Sequence, residues 1–537
     1  MFIAASVAIT LAVFSPVFGQ QAHQHDSSEK LGTVRFANSC SAAVQPTFAR
    51  AMALLHSFEF GPAIQSFNAT AAADPGCAIA YWGIAVSRWG NPFAPGAKPP
   101  KEVELGRAAA DKAKAIGAKT ERERDFIAAV EQLYKDVDTR DQRTRTLAYR
   151  DAMAQVAAKY KDDPEASAFY ALALASSNDP TDRTYDSLLK AGAILEGLVP
   201  AQPDHPGFVH YIIHAYDVPP LASKALDAAH KYAKVAPSAP HALHMPSHTF
   251  TRMGYWQDSI DSNIASAETA RREKSTGEEL HAMDYQTYAY LQTAQDSAAR
   301  RLVDALPEIA DRFDPDKIGG AAPGTAGLFA LAAIPARYAL ERRSWSDAAK
   351  LEVGSGRFAP AQSITWFARA LGAANSGDLT GARAAVDALR ELQARLAKAG
   401  EVYWAEQAEI QRLGATAWLA FKEGRTDEAL TAMREAADRE DRTEKAAVTP
   451  GPIAPARELL GEMLLQLKRP KEALAAFEIT LKKEPNRFHA IAGAAQAAQA
   501  AGDTATMRKY YQQLLQLTAK ADSPGRPELV AARQYAK

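Results

Sequence analysis

Residues 241–248 read HALHMPSH and hold three of the twelve histidines in this chain of 537 residues. Just upstream, HPGFVHYIIH at 205–214 holds three more. Imidazole is a ligand for Zn, Cu and Fe, and it is also the side chain suited to acid–base work near neutral pH. His210 and His214 are four residues apart, and so are His244 and His248. On a helix that spacing puts both side chains on one face, at about 5–6 Å between Cβ atoms. The step from 210 to 244, and from 214 to 248, is 34 residues in both cases. A third segment, HAMDYQTYAYLQ at 281–292, adds His281, Asp284 and Tyr288. The expected metal-ligand set is His210, His214, His244, His248, His281 and Asp284. Asp217, three residues after His214, is an orienting partner, and Tyr288 shares the same face. His241 and His205 stand at helix starts as marginal members, and His56 in LLHSFEF closes an earlier helix and faces the same groove. Pro246 either kinks the helix that carries His244 and His248 or starts it anew, leaving His244 in the preceding turn. The same histidines can instead bind a peptide or carboxylate without metal, or serve the structure alone.

Stacked helices must carry such a set. From about residue 36 to 520, apolar residues recur at helical spacing, and Gly or Pro punctuates every 12–17 residues. No segment alternates with period two. LKRPKEALAAFE at 467–478 aligns with AGDTATMRKYYQ at 501–512, again 34 residues on. FKEGRTDEALTAMREA (421–436), MGYWQDSIDSN (253–263) and FEFGPAIQSFNATAAADP (58–75) fit the same template. Gly254, Gly424 and Gly502 permit its turns, Ala429 and Ala473 allow close helix approach, and Pro75, Pro237 and Pro485 stop one helix before the next. The template resembles the tetratricopeptide (TPR) repeat. The resemblance implies an all-α fold, an α-solenoid of helix-turn-helix repeats with a superhelical groove. It also implies that the first helix of each repeat lines that groove, with both histidine pairs in the groove rather than the core. One repeat separates the pairs, so they should lie on neighbouring helices.

The expected organisation is a leader at 1–19, a disordered linker at 20–34, degenerate TPR-like helices at 35–180, and histidine-rich repeats at 181–312. Middle helices follow at 313–436, then a Pro-rich insertion at 437–455, C-terminal repeats at 456–520 and a tail at 521–537. FDPDKIGGAAPGTAG at 313–327 reads as a second long loop, and loops of this length often gate a groove. Glu458 and Glu462 occupy the frame positions that His210 and His214 hold earlier. Tyr81, Trp82 and Trp89 read as core.

MFIAASVAITLAVFSPVFGQ is uncharged from residue 2 to 18 and reads as a secretory leader, cleaved after Gly19. No later segment is apolar for long enough to span a bilayer. The expected compartment is the periplasm or the exterior. The two cysteines, Cys40 and Cys77, then read as a disulfide. With 62 basic and 63 acidic residues, the chain offers no charge pattern for nucleic acid.

NSCSAAVQPTFARAMALLHSFEF, DPGCAIAYWGIAVSRWGNPF, HALHMPSHTFTRMGYWQDSIDSN and VTPGPIAPARELLGEMLLQLKRPKEAL resemble a family of exported bacterial TPR proteins of about this length. The resemblance covers nearly the whole chain after the leader and brings no activity with it. At EKAAVTPG the chain carries Ala446 where the family pattern has histidine, which argues against that loop as a ligand donor. GxSxG, HExxH, phosphate loops and CxxCH are absent from the sequence. Two functions stay open: a scaffold binding a protein, peptide or small ligand in its histidine-lined groove, or an enzyme dependent on Zn, Cu or Fe.

Overall fold

A computed structural model describes residues 29–354 and 356–535, so the leader lies outside the described residues. Those residues form 26 α-helices and two short 3-10 helices, with no strand among them. Successive helices pack in pairs, such as Trp256–Arg272 on Thr276–Gln292, Val402–Lys422 on Thr426–Asp441 and Phe488–Ala500 on Thr504–Leu517. Helices two apart also meet, as Thr276–Gln292 does with Gly324–Glu341. This stacking of helix-turn-helix pairs is the expected all-α, TPR-like solenoid.

The repeat template works for the reasons its residues suggest. Ser259, Ala429 and Ala473 are fully buried where two helices come closest. Gly254 ends its helix at φ +68°, a left-handed turn that suits a residue without Cβ. A Cβ at Gly254 would also stand 2.5 Å from the carbonyl oxygen of Pro485. Beside it, Trp256 Nε1 donates to the Asn486 carbonyl at 2.7 Å. The solenoid therefore turns back until repeats more than 200 residues apart touch.

Two large apolar cores result, one from residues 31–250 joined by Ala321 and one within 294–532. The histidine-rich segments lie at the seam between them. Cys40 and Cys77 are joined by the expected disulfide. No helix among the described residues is long and apolar enough to cross a membrane.

Several expected boundaries move. The last residues of the 20–34 linker are packed: Leu31 and Val34 are buried and Thr33 donates to the Asp204 carbonyl. The 521–537 tail contains the helix Pro527–Tyr535, which buries Leu529 and Ala532 in the second core. The 313–327 loop ends at Gly324, where a helix begins, and the 437–455 insertion starts after Asp441, where the preceding helix ends.

Candidate metal centre

The helix Pro206–Ala215 opens with proline at its first position, where no backbone donor is needed, and all ten of its residues are buried. His210 and His214 lie side by side on it, ring centroids 4.8 Å apart. The next histidine segment is broken by Pro246, which cannot donate to the preceding turn. A short helix Pro240–His244 ends there and Pro246–Met253 begins, with Met245 helical between them. The hydrogen-bond ladder is thus interrupted at Pro246 while His244 and His248 keep a common face, centroids 5.0 Å apart. Thr276–Gln292 supplies His281 and, one turn on, Tyr285.

These elements bring six histidines together, in two groups of three. His210, His214 and His241 form one, and His244, His248 and His281 the other. Within each group, one ring nitrogen per residue lies within 4.8 Å of the others. His210 Nε2 stands 3.1 Å from His241 Nε2, and His244 Nε2 stands 3.0 Å from His248 Nε2. All six side chains are between 0% and 6% exposed.

Hydrogen bonds at the far side of the rings fix where the protons are. Asn263 Nδ2 donates to the Ser259 carbonyl at 2.7 Å, so its Oδ1 accepts, and His244 Nδ1 donates to it at 2.7 Å. His248 Nδ1 donates to Asp217 Oδ2 at 2.9 Å. Burial alone would push the Asp217 carboxyl up, but Lys445 and Arg252 beside it hold it well below the usual range, so it is an acceptor only. His244 and His248 in their neutral forms therefore present bare Nε2 lone pairs to each other. His210 Nδ1 likewise donates to the His56 carbonyl at 2.7 Å, leaving its Nε2 bare toward His241. Ligand histidines are commonly oriented by such outer hydrogen bonds. Burial, reinforced by neighbouring imidazoles, holds His210, His214 and His244 well below the ordinary histidine value. It takes His248 to about 4 against the pull of Asp217, and His281 to about 3 against that of Glu278. Neutral imidazole is the form that binds metal. His214 Nε2, His241 Nδ1 and His281 Nδ1 are buried without a hydrogen-bond partner. The donor set fits a borderline transition metal and not Mg²⁺ or Ca²⁺, which take oxygen ligands.

Support continues outward. His56 and His205 both bond Glu165, at 2.9 Å and 3.0 Å, and His56 Nδ1 meets the Tyr211 hydroxyl at 2.9 Å. Burial would raise the Glu165 carboxyl, yet these two histidines hold it well below its ordinary value. This third buried group, in which only His205 Nδ1 lacks a hydrogen-bond partner, backs the centre through the His56 carbonyl. Gly207 makes room for it, since a Cβ there would stand 2.3 Å from His56 Nδ1.

Both long loops close the centre. Ala321, Ala322 and Pro323 of one, and Ala447 and Val448 of the other, line a small pocket together with His214, His241, His248 and His281. The Tyr285 hydroxyl reaches the carbonyls of Ala447 and Thr449 at 3.1 Å and 3.0 Å. Arg337 donates to the Thr449 hydroxyl and to the Gly451 and Pro452 carbonyls at 2.8–2.9 Å. The histidines are thus not spread along an open concave groove, as the repeat frame implied. The loops roof them over.

Five of the expected ligand positions, His210, His214, His244, His248 and His281, come together, and Asp217 orients His248. Asp284 does not join them: Arg337 Nε donates to it at 2.9 Å, a fully buried ion pair. Tyr288 lies away from the histidines, over Arg337 and Arg487 and against Trp256. His56 is not in a groove either; it is buried with Glu165 beneath the centre. His241, marginal in the sequence, is a full member. Its signal was present, three residues before His244 on the same helical face. Tyr285 was missed, although it stands at i+4 from His281.

No family model matches the sequence, and no curated protein matches it. Among solved structures, the chain is similar to human IFIT1 in a dimer with m7Gppp-AAAA. That match has 10% identity over 90% of this chain and 96% of the other, at a TM-score of 0.36. It is also similar to the Cut9–Hcn1 hetero-tetramer of APC/C, with 13% identity over 92% of this chain and 90% of the other, at a TM-score of 0.34.

Proposed function

We propose that this chain is an exported TPR-like protein that carries a transition metal in its buried histidine centre. The observation that carries the reading is the His244–His248 pair. Two Nε2 atoms 3.0 Å apart, each with its proton committed to the far side of the ring, repel one another unless a cation lies between them. With metal–nitrogen bonds of about 2.0–2.1 Å, two ligand nitrogens at 90–110° stand roughly 2.9–3.4 Å apart. The spacing suits a shared ion. Imidazole nitrogens suit Zn, Cu or Fe, and the metal when bound would supply Lewis-acid or redox chemistry. In this reading the chain's own part is to orient the rings through Asp217, Asn263 and the His56 carbonyl, and to exclude bulk water beneath the two loops.

Export is supported by the uncharged leader sequence and by the Cys40–Cys77 disulfide, a bond that persists in oxidising compartments. A protein partner, as arrays of this architecture commonly take, would dock on the outer solenoid surface, because the histidines lie beneath the loops.

The test is elemental analysis of the mature chain, produced by export without a histidine tag. Zn, Cu or Fe at stoichiometric level in the wild type, lost in His244→Ala/His248→Ala, is the expected result. Metal at background after reconstitution of folded protein would defeat the proposal.

A further inference from the structure

The six histidines are divided, and the division is physical. Each triad has its own close Nε2–Nε2 contact, 3.1 Å in one and 3.0 Å in the other. The helix Pro240–His244 gives one histidine to each, and the outer partners are separate: the His56 carbonyl for the first, Asn263 and Asp217 for the second. Each triad has two ring pairs with centroids 4.4–5.0 Å apart, whereas His241–His244 and His214–His248 across the divide stand at 6.0 Å and 6.1 Å, similar to the widest pair within each triad, 6.2 Å and 6.4 Å. The ring nitrogens gather as two sets of three, and each contact has the spacing of two nitrogens on one ion at bond lengths of about 2.0–2.1 Å. Yet the triads face one space. His214 and His241 of the first and His248 and His281 of the second line the same small pocket, whose other walls are mostly alanine, valine and proline.

We infer that the centre is dinuclear, with one borderline transition-metal ion per triad and a single small-ligand pocket touching both. The inference rests on the metal reading proposed above. Three neutral nitrogens leave each ion an open coordination position, the arrangement that admits a water or small ligand beside protein ligands. Beyond the histidines the one polar lining residue, Asn91, is engaged with the Ala321 carbonyl and the Phe93 amide, and the remaining apolar walls of this small pocket suit a ligand such as hydroxide or azide. Two ions sharing one such ligand form the kind of site that binds it from both ends.

The test is a titration of metal-free mature chain with Zn²⁺ against a chromophoric chelator. Wild type should bind two equivalents, and His210→Ala/His214→Ala and His244→Ala/His248→Ala should bind one each. One equivalent in wild type overturns the dinuclear centre and leaves the metal reading standing. Zero overturns both, and two equivalents retained in both double variants would place the ions elsewhere and overturn both as well. Helical content and thermal midpoint accompany each variant. His214→Gln and His281→Gln, which keep most of the side-chain volume, replace any double variant that loses its helices. Azide added to the Co²⁺-loaded protein then reads the shared pocket. Its binding, followed by the visible cobalt bands, should weaken at least tenfold in either single-triad variant. Equal affinity in wild type and variants, or no binding in wild type, overturns the shared pocket.

Discussion

Glu458 and Glu462 stand where the repeat frame puts His210 and His214 earlier in the chain, and the two regions neutralise buried polar groups in opposite ways. In the later repeats the partners come from the chain itself. Arg487 donates to both oxygens of Glu458, at 2.8 Å and 3.0 Å, to Glu341, and to the Tyr288 hydroxyl at 3.2 Å. His489 Nε2 donates to the Glu341 carbonyl at 2.7 Å. One guanidinium serves two carboxylates, and burial, with Glu341 nearby, pushes the Glu458 carboxyl up to about 7. In the histidine centre no proton donor lies between the facing Nε2 atoms of His244 and His248, and three further ring nitrogens make no hydrogen bond, the Glu278 carboxylate standing 3.8 Å from one of them, His241 Nδ1. Buried polar groups are almost always hydrogen-bonded, so a cluster that leaves several bare is built around something else. A closed ion-pair cluster gains nothing from a ligand, whereas a cluster of bare donors does.

Breaking the closed cluster should have the largest effect on stability. Arg487→Ala strands Glu341 and Glu458 in the core and is expected to cost about 3–5 kcal/mol, read as a lower urea midpoint. The same loss with and without chelator would confirm that this cluster needs no ion. In the histidine centre the reverse holds. Metal at a hundredfold excess over its Kd should raise unfolding stability by about 2.7 kcal/mol. That gain should vanish in His244→Ala/His248→Ala, and an equal gain in that variant would erase the contrast. Next comes the support of the open cluster. Asp217→Asn weakens the hydrogen bond that fixes the His248 proton and should lower metal affinity 10- to 100-fold by competition titration. The smallest effect belongs to Arg343–Glu462, whose arginine side chain is 39% exposed. Glu462→Gln should change stability by no more than about 1 kcal/mol in the same denaturation experiment.

Much of this was legible in the sequence because it depends on local spacing. The helical period, the Gly254 turn, the small residues at Ser259, Ala429 and Ala473, and the two i,i+4 histidine pairs are properties of short segments. The 34-residue offset also named the right neighbouring segments. It named one pair, since His214 stands beside His248, but His210 meets His241 and His244 meets His281. Asp284 could not be sorted from Tyr285 locally. Both lie near the His281 face, and the decision is made by Arg337, 53 residues away, which claims the carboxylate. Burial was invisible for a similar reason. The roof comes from loops at 313–323 and 442–455, and their contacts with the histidine segments are long-range.

The anchoring of the second loop also sets a clock. Arg337 is fully buried and holds the loop through three acceptors, and Tyr285 holds it through two more. An ion seated below can leave only when that stretch lets go, and local opening of this kind carries its own free energy. Its residence time is then governed by a backbone motion, whatever the strength of the bonds to nitrogen. Metal exchange and hydrogen exchange at the amides of residues 446–449 and of Gly451 should run at one rate, and loading during folding should outpace loading of the finished protein.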